Sequence, residues 1–398
     1  MIILNIIFYA FFIFIAGIIG YQLLLGILAM NAGQHQSFET KKFRKFAFVI
    51  PAHNEEKMVA KTIYSLNGLI YPKKMYDVFV IADNCEDETA KIASKLGAGV
   101  FERTDAENRG KGYALSWGFD KILQQESDYD AVIVIDSDSL ISGNYLSVMN
   151  YYLEQGSRVI QSSDLVLPQP DNWSVEVTRI GFILVNYVKP LGRKILNLNM
   201  GLRGNGMCFD VSVLEKVPWK AWSLTEDAEY GLTLILSGEK IDFAPEATVW
   251  AQMPLKASNA VSQRSRWEFG RYQIAKKYTL EFLFLSLKKR SLKLFDVFID
   301  LVTPPFVNTM ILVSVLTLAS FTLWLLDLTS LTYFIMWGSV LGAGILHLIT
   351  GLYTAKADRN LYKSILYIPK YIFWKIKMYV KSMFNGWDVN WIRTTRDI

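Results

Sequence analysis

The chain has 398 residues and a net charge of +5, enough length for one large domain or two modest ones. Its apolar fraction of 52% is high and its charged fraction of 20% low for a soluble protein, and the excess sits at the two ends. The Lys and Arg residues cluster beside those apolar segments, which argues against nucleic acid as the partner and for an anionic membrane surface. Two distant cysteines, Cys85 and Cys208, exclude a disulfide framework and fit a reducing compartment. Three scattered histidines, His35, His53 and His347, are too far apart for a zinc site.

Residues 1–38 carry no charged side chain, and Ile2–Met30 is almost wholly apolar. About 20 residues suffice to cross a bilayer, so this run spans with tilt to spare. Its length and the lack of a basic start favour a retained anchor over a cleaved signal peptide. Lys41, Lys42, Arg44 and Lys45 follow, which places the next segment in the cytoplasm.

From about Arg44 to Lys277 short β-rich runs alternate with helix-like stretches. Strands are expected at 45–50, 78–82, 99–102 and 131–135, and helices at 55–66, 88–96 and 112–125. This alternation predicts an α/β fold with a mostly parallel sheet and helices on its faces. Ligands of such sheets bind beyond the carboxyl ends of the strands. The polar clusters lie there: Pro51-Ala-His-Asn-Glu-Glu56 after the first strand, Asp83-Asn-Cys-Glu-Asp87 after the second, and Asp136-Ser-Asp138 after the fourth. Each cluster also has a local reading, because Asp and Asn after a strand serve turns and helix caps. Asp87 or Glu88 beside Thr89 would then cap the following helix. Asp136 and Asp138 resist that reading. Alternate carboxylates leaving an apolar strand crowd negative charge, and hard oxygen ligands suit Mg²⁺ or Mn²⁺ shared with substrate phosphates.

Further along stand Thr225-Glu226-Asp227, an acidic pair opening a helix, and Gln263-x-x-Arg266-Trp267. Taken alone, the first fits a helix-dipole effect and the second ordinary interface packing. Two basic, aromatic-rich stretches, 274–299 and 362–384, read as helices lying in the membrane interface. The second also fits a further span, although Lys370, Lys375 and Lys377 argue against it. Two more apolar runs, about 305–326 and 331–353, are joined by a short loop with no Lys or Arg and flanked outside by basic residues, so both outer flanks are expected in the cytoplasm. The expected layout is an anchor at 1–40, a cytoplasmic catalytic domain at 41–277, and interfacial helices with a membrane hairpin at 278–398.

Together these motifs resemble the family-2 glycosyltransferases with a GT-A fold, especially the membrane-bound branch of cellulose, hyaluronan and poly-N-acetylglucosamine synthases. The matching residues are the Pro51–Glu56 loop, Asp83, Asn108-Arg-Gly-Lys111-Gly, Asp136 and Asp138, Gly204-Asn205-Gly206, Thr225-Glu226-Asp227 and Gln263-x-x-Arg266-Trp267. The resemblance covers about residues 45–275. It implies that Pro51, Asn54, Glu55 and Asp83 hold the nucleoside of a nucleotide-sugar donor, with Lys111 near the nucleotide. Asp138 would coordinate Mg²⁺ or Mn²⁺, with Asp136 on ribose or metal, and Gly204, Asn205 and Gly206 would line the nucleotide-sugar site. Asp227 would be the general base, Glu226 would shape its site, and Gln263, Arg266 and Trp267 would close over the donor. One base and one stabilised leaving group suit a single displacement that inverts the anomeric carbon.

Some residues depart from the synthases. His53 stands where relatives have an aromatic or other residue, and Arg203 stands where a small residue is common, which makes the acceptor pocket more cationic. Cys208 reads as a packed small residue. The Trp391–Arg396 tail is similar to one in this branch. A polymer channel needs a polar path, and the spans carry hardly any polar face; Asn308, Ser314, Ser320 and His347 are the main exceptions and serve either function or helix association. The acceptor is therefore either lipid-linked or a polysaccharide, the latter with a homo-oligomer or secretion partner. A membrane-bound sensor that binds a nucleotide sugar without turnover is the reading from another class. No motif encodes the sugar.

Overall fold

The structure is a computed structural model that describes residues 2–33, 37–38, 40–125, 128–256 and 259–385; His35 and the 391–396 tail lie outside them. The chain forms two compact units. Among the described residues, one contains 2–32, 176–198 and 278–381, and the other contains 33–175 and 199–277.

The second unit holds an eight-stranded sheet. Its strands are β1 (Phe46–Ala52), β2 (Tyr76–Asp83), β3 (Gly99–Arg103), β4 (Ala131–Val134), β5 (Ser139–Ile141), β6 (Val159–Val166), β7 (Met207–Asp210) and β8 (Ile241–Ala251), in the spatial order β3-β2-β1-β4-β7-β6-β8-β5. The first four are mutually parallel, as the β-rich runs predict, and β6 and β8 are also parallel. The β4–β7, β6–β7 and β5–β8 pairs are antiparallel. Strands β5 to β8 were not among the expected elements. The middle of β6 reads Gln161-Ser-Ser-Asp164, which looks like loop by composition although all four residues are buried.

Buried on both faces, β1 separates two apolar layers. Phe46, Phe48 and Ile50 join Val59 and Ile63 of the helix Val59–Asn67 and Tyr145 and Met149 of the helix Tyr145–Glu154 in one core. On the opposite face Gly118 of the helix Lys111–Leu123 comes close to Ile81 and Val49. Full burial of each such Phe contributes about 1.5–3 kcal/mol relative to exposure. The register pairs Ala52 with Ala82 and Val49 with Val134, so the carboxyl ends of β1, β2 and β4 open along one edge.

In the other unit, three helices are long and apolar enough to cross a membrane among the described residues: Asn5–Met30 within Ile2–Met30, Phe306–Leu325 and Leu331–Thr354. Their bounds match the expected apolar runs to within a residue or two. Phe8, Phe11 and Phe12 surround Trp337, with Phe12 edge-on at 5.3 Å between ring centroids, and Ile15, Ile19, Val313 and Val340 complete that cluster. The expected 274–299 helix is instead divided. Its first half is the end of a 31-residue helix, Asn259–Lys289, and Arg290 then takes a left-handed φ of +47° before Ser291 caps the helix Leu292–Val302. Asp296 and Asp300 on that helix meet Arg193, each with an N–O separation of 3.2 Å, and Tyr21 donates to Asp296. Asn308 donates to Tyr379 at 2.7 Å, while Ser320 returns its hydroxyl to the backbone of its own helix. These polar groups act within and between helices.

The helix Lys189–Ile195 packs its Gly192 against the backbone of Leu25; a Cβ there would lie 2.3 Å from the Leu25 carbonyl oxygen. Rigid backbone cannot yield as a side chain tip can. Gly192→Ala is therefore expected to destabilise this unit by about 1–3 kcal/mol. Thermal unfolding in detergent measures it, and an unchanged midpoint would contradict the close approach.

Candidate active site

The loops after β1 and β2 are bonded to each other. His53 donates from Nδ1 to the Asp83 carbonyl at 2.7 Å, and the Glu55 amide donates to Thr89 Oγ1 at the same distance. Asn54 and Asn84 both adopt positive φ, which asparagine tolerates, and Asn54 Oδ1 accepts from the Glu86 amide at 2.7 Å. Asp87 accepts from the amide and hydroxyl of Thr89, so it serves the turn into the helix Thr89–Lys95, the local role its position allows. Pro51 is the penultimate residue of β1, at the same edge.

Asp83 is buried at the end of β2, and its Oδ1 accepts from Arg103 Nη1 at 2.6 Å and Asn84 Nδ2 at 3.1 Å. Arg103 extends its other nitrogen to Asp105 and to the Asn108 carbonyl, both at 2.8 Å. Sequence reasoning missed Arg103. Its position at the end of a strand, directly opposite Asp83 in the β2–β3 register, is visible only once the strands are paired.

A second cluster centres on Lys111, the first residue of the helix Lys111–Leu123. Its ammonium donates to Asp136 Oδ1 at 2.6 Å and to the Gly204 carbonyl, and lies 3.9 Å from Glu226 Oε1. Burial alone would lower its pKa. The attraction of Asp136, Glu226 and Asp227 outweighs that and holds the pKa above the usual lysine range.

Glu226 and Asp227 open the helix Glu226–Leu236, where the first turn favours acidic groups. Asp227 Oδ2 would be 3.3 Å from a Cβ on Gly204, so its carboxyl abuts that loop. Burial raises the pKa of Glu226; Lys111 opposes this, Asp227 adds to it, and the result is about 7. Asp227 is raised too, chiefly by burial, with Lys111 and Arg203 pulling the other way and Asp136 pushing it up.

The Arg203–Gly206 loop is held by Gln161 of β6. Gln161 Oε1 accepts from the Arg203 amide at 2.9 Å, and its Nε2 donates to the Asn205 carbonyl at 2.8 Å. Gly206 has φ +69°, and a Cβ there would fall 2.0 Å from Ser162 Oγ, so a side chain would strain the backbone and crowd Ser162. Asn205 accepts from the Asp136 amide at 3.1 Å and donates to Ser139 Oγ at 2.9 Å. It also reaches Asp164 at 3.3 Å. Asp164 is 5% exposed. Burial raises its pKa well above the carboxylate range; Asp136 and Asp138 add to the effect, against Asn205 and Lys111. Neither Gln161 nor Asp164 stood out in the sequence.

Asp138 is buried just beyond β4. Among the described residues no three His, Cys, Asp or Glu side chains converge to hold a cation by themselves. Mg²⁺ and Mn²⁺ at nucleotide sites take one or two carboxylates and share the ion with phosphates and water. The hard donors Asp136 and Asp138, whose fields both bear on Asp164, fit such an ion. Gln263, Arg266 and Trp267 lie half-buried on the first third of the helix Asn259–Lys289. One turn on, Gly270 leaves room for only a hydrogen against the Thr225 side chain, which seats this helix beside the start of the acidic pair.

The structure thus brings Lys111, Asp136, Gly204, Asn205, Gly206, Glu226 and Asp227 into one contiguous cluster, and Asp138, two residues beyond Asp136, acts electrostatically on the adjoining Asp164. Asp83 and the Pro51–Glu56 loop form a neighbouring cluster at the ends of β2 and β1.

The family model described as "Glycosyltransferase like family 2" matches residues 44–270, more than half of the chain. A probable glycosyltransferase of Bacillus subtilis, YdaM, is 26% identical over 267 residues, covering 65% of this chain and 62% of that protein. The poly-beta-1,6-N-acetyl-D-glucosamine synthase of Staphylococcus aureus is 25% identical over 240 residues, covering 57% of this chain and 54% of that protein. The match therefore spans between half and two thirds of the length of these relatives. Among solved structures, the mannosyltransferase PcManGT of Pyrobaculum calidifontis, in complex with GDP-Man and Mn²⁺, is similar in fold with a TM-score of 0.51. That likeness covers 93% of this chain and 96% of the other at 13% identity. With an α/β architecture, a mostly parallel sheet and the polar clusters at its carboxyl edge, the chain belongs to the family-2 glycosyltransferases.

Proposed function

We propose that this glycosyltransferase moves a sugar from a nucleoside-diphosphate donor, a UDP-sugar by preference, to a membrane-associated acceptor with inversion at the anomeric carbon. The observation that supports it most is the convergence of Lys111, Asp136, Glu226 and Asp227 on the Gly204 loop, beside Asp138. The Pro51, Asn54, Glu55 and Asp83 edge takes the nucleoside. Asp83 faces the base with a carboxylate steadied by Arg103. Asp136 and Asp138 would hold Mg²⁺ or Mn²⁺, which when bound neutralises the diphosphate and makes it a better leaving group. Lys111 keeps cationic charge next to that diphosphate.

Asp227 takes the proton of the acceptor hydroxyl as the oxygen bonds to the anomeric carbon. The carbon–oxygen bond to the diphosphate breaks on the opposite side, so an α-linked donor gives a β-linked product. Glu226, protonated more readily than an ordinary glutamate, sets the charge beside this base. Gln263, Arg266 and Trp267 close over the donor, Arg266 toward the diphosphate. Residues 41–277 form the catalytic domain. The basic residues 41–45 and 288–293 at the ends of the apolar segments support a cytoplasmic side for it, with the three apolar helices in the membrane.

Isolated membranes incubated with labelled UDP- and GDP-sugars test the reading: transfer of label to lipid or to polymer supports it, and absence of transfer from every donor overturns it. In the same assay Asp227→Asn is expected to abolish transfer while leaving donor binding near that of the wild type. Near-wild-type turnover would remove Asp227 from the base role.

The pH dependence follows from the sign of the shift. A base must be unprotonated, and its raised pKa means the rate falls as pH drops through a value above the usual aspartate range of about 4. Arg203 lowers that pKa, so Arg203→Met is expected to move the acidic limb of kcat to higher pH. A limb that stays put or moves down would contradict the coupling.

A further inference from the structure

Trp222 is 45% exposed, an unusual state for the largest side chain, and it lies four residues before Glu226. One of its faces is covered: the half-buried ring of Tyr113 stacks on it at 4.4 Å between centroids and 14° between planes. The stack is held rigidly. The amides of Trp222 and Ser223 both donate to Glu229 Oε2, at 3.2 and 3.1 Å, and Lys277 anchors the other oxygen of Glu229 at 2.7 Å. Ser116 donates to the Trp219 carbonyl at 3.0 Å, tying the loop to the same helix that carries Lys111 and Tyr113.

The stack is also continuous with the acidic pair. A Cβ on Gly112, between Lys111 and Tyr113, would lie 2.3 Å from the Ala221 carbonyl oxygen and 3.3 Å from Glu226 Cβ. The backbone at Ala221, one residue before Trp222, and the start of the acidic pair therefore both pack on Gly112.

We propose that Trp222, backed by Tyr113, is a stacking platform for a pyranose ring of the acceptor, which makes the acceptor a saccharide rather than a bare lipid phosphate. This rests on reading the Lys111–Asp227 cluster as a glycosyltransferase site. A pyranose presents a face of C–H bonds whose positive edge meets the negative π-face of an indole. A ring already fixed in place loses little entropy on binding, so an open, clamped tryptophan on the loop that leads into the Glu226–Asp227 pair suits recognition of a sugar whose hydroxyl Asp227 deprotonates. A phosphate would gain nothing from such a face.

The test uses the full chain in detergent with Mg²⁺ and UDP. β-Linked tetrasaccharides of glucose and of N-acetylglucosamine are titrated by calorimetry into wild type, Trp222→Ala and Trp222→Phe. Wild type is expected to bind one of them, Trp222→Ala about tenfold more weakly, and Trp222→Phe in between. UDP affinity, measured in parallel, is expected to be equal in all three. Wild type that binds UDP but neither tetrasaccharide, or tetrasaccharide binding unchanged in Trp222→Ala, overturns the platform alone. Loss of UDP affinity in Trp222→Ala in step with the saccharide also overturns it, by showing that the loop is structural. Wild type that binds neither UDP nor GDP overturns the transferase reading beneath it.

Discussion

Lys111 is placed by its own hydrogen bonds among acidic side chains at the carboxyl edge of the sheet, and the packing of that edge answers to it. Asp136 follows β4, whereas Glu226 and Asp227 open the helix Glu226–Leu236, and the fold brings these two places of like charge together. Such a grouping is unstable unless charge is neutralised by a cation or by protons. Both remedies are visible here. Lys111 supplies a fixed positive charge, and Glu226, Asp227 and Asp164 all have their pKa values raised, so they hold protons more tightly than free carboxyls. Any further negative charge brought to the same place would add to the load that this balance carries.

Neutral hydrogen bonds complete what charge alone would leave loose. Gln161 carries no charge, yet its amide bridges the Arg203 and Asn205 backbone as a neighbouring strand would, and so gives the glycine loop one conformation. Asn205 in turn links the Asp136 amide, Ser139 and Asp164. The loop that touches Asp227 is thereby positioned from β6, the strand whose polar middle hid it from a reading by hydrophobic pattern. Fully satisfied buried networks of this kind rigidify a site, whereas a half-satisfied one would cost stability.

In the unit with the apolar helices the organising forces differ. Aromatic side chains of the first helix gather on Trp337, which is packing that a lipid-like environment permits without a hydrophobic drive. Charges there are matched locally: Arg193 is 3% exposed and faces Asp296 and Asp300. Removing either side of such a pair would strand the other without water, so these bonds set which faces of the helices meet.

Much of the first half of the fold was legible in the chain because its signals are local. Apolar runs of strand length predicted β1 to β4 in parallel order, the unbroken stretches 2–30, 306–325 and 331–354 announced helices able to span a membrane, and the ordered motifs pointed to the family. What stayed hidden depends on partners distant in sequence. Gln161 and Asp164 look like loop residues until β7 and β8 flank β6; Arg103 acquires its meaning from the register that sets it opposite Asp83; and Trp222 needs Tyr113 at its back. Even the break at Arg290 escaped, since a single left-handed residue leaves hydrophobic periodicity almost untouched. Composition and spacing by themselves determined the apolar helices, the first strands and the chemical groups at their ends, and the resemblance of the ordered motifs supplied the family. Which of those groups share a proton, a cation or a surface was decided by tertiary structure, because electrostatic and hydrogen-bond energies depend on distances that folding alone sets.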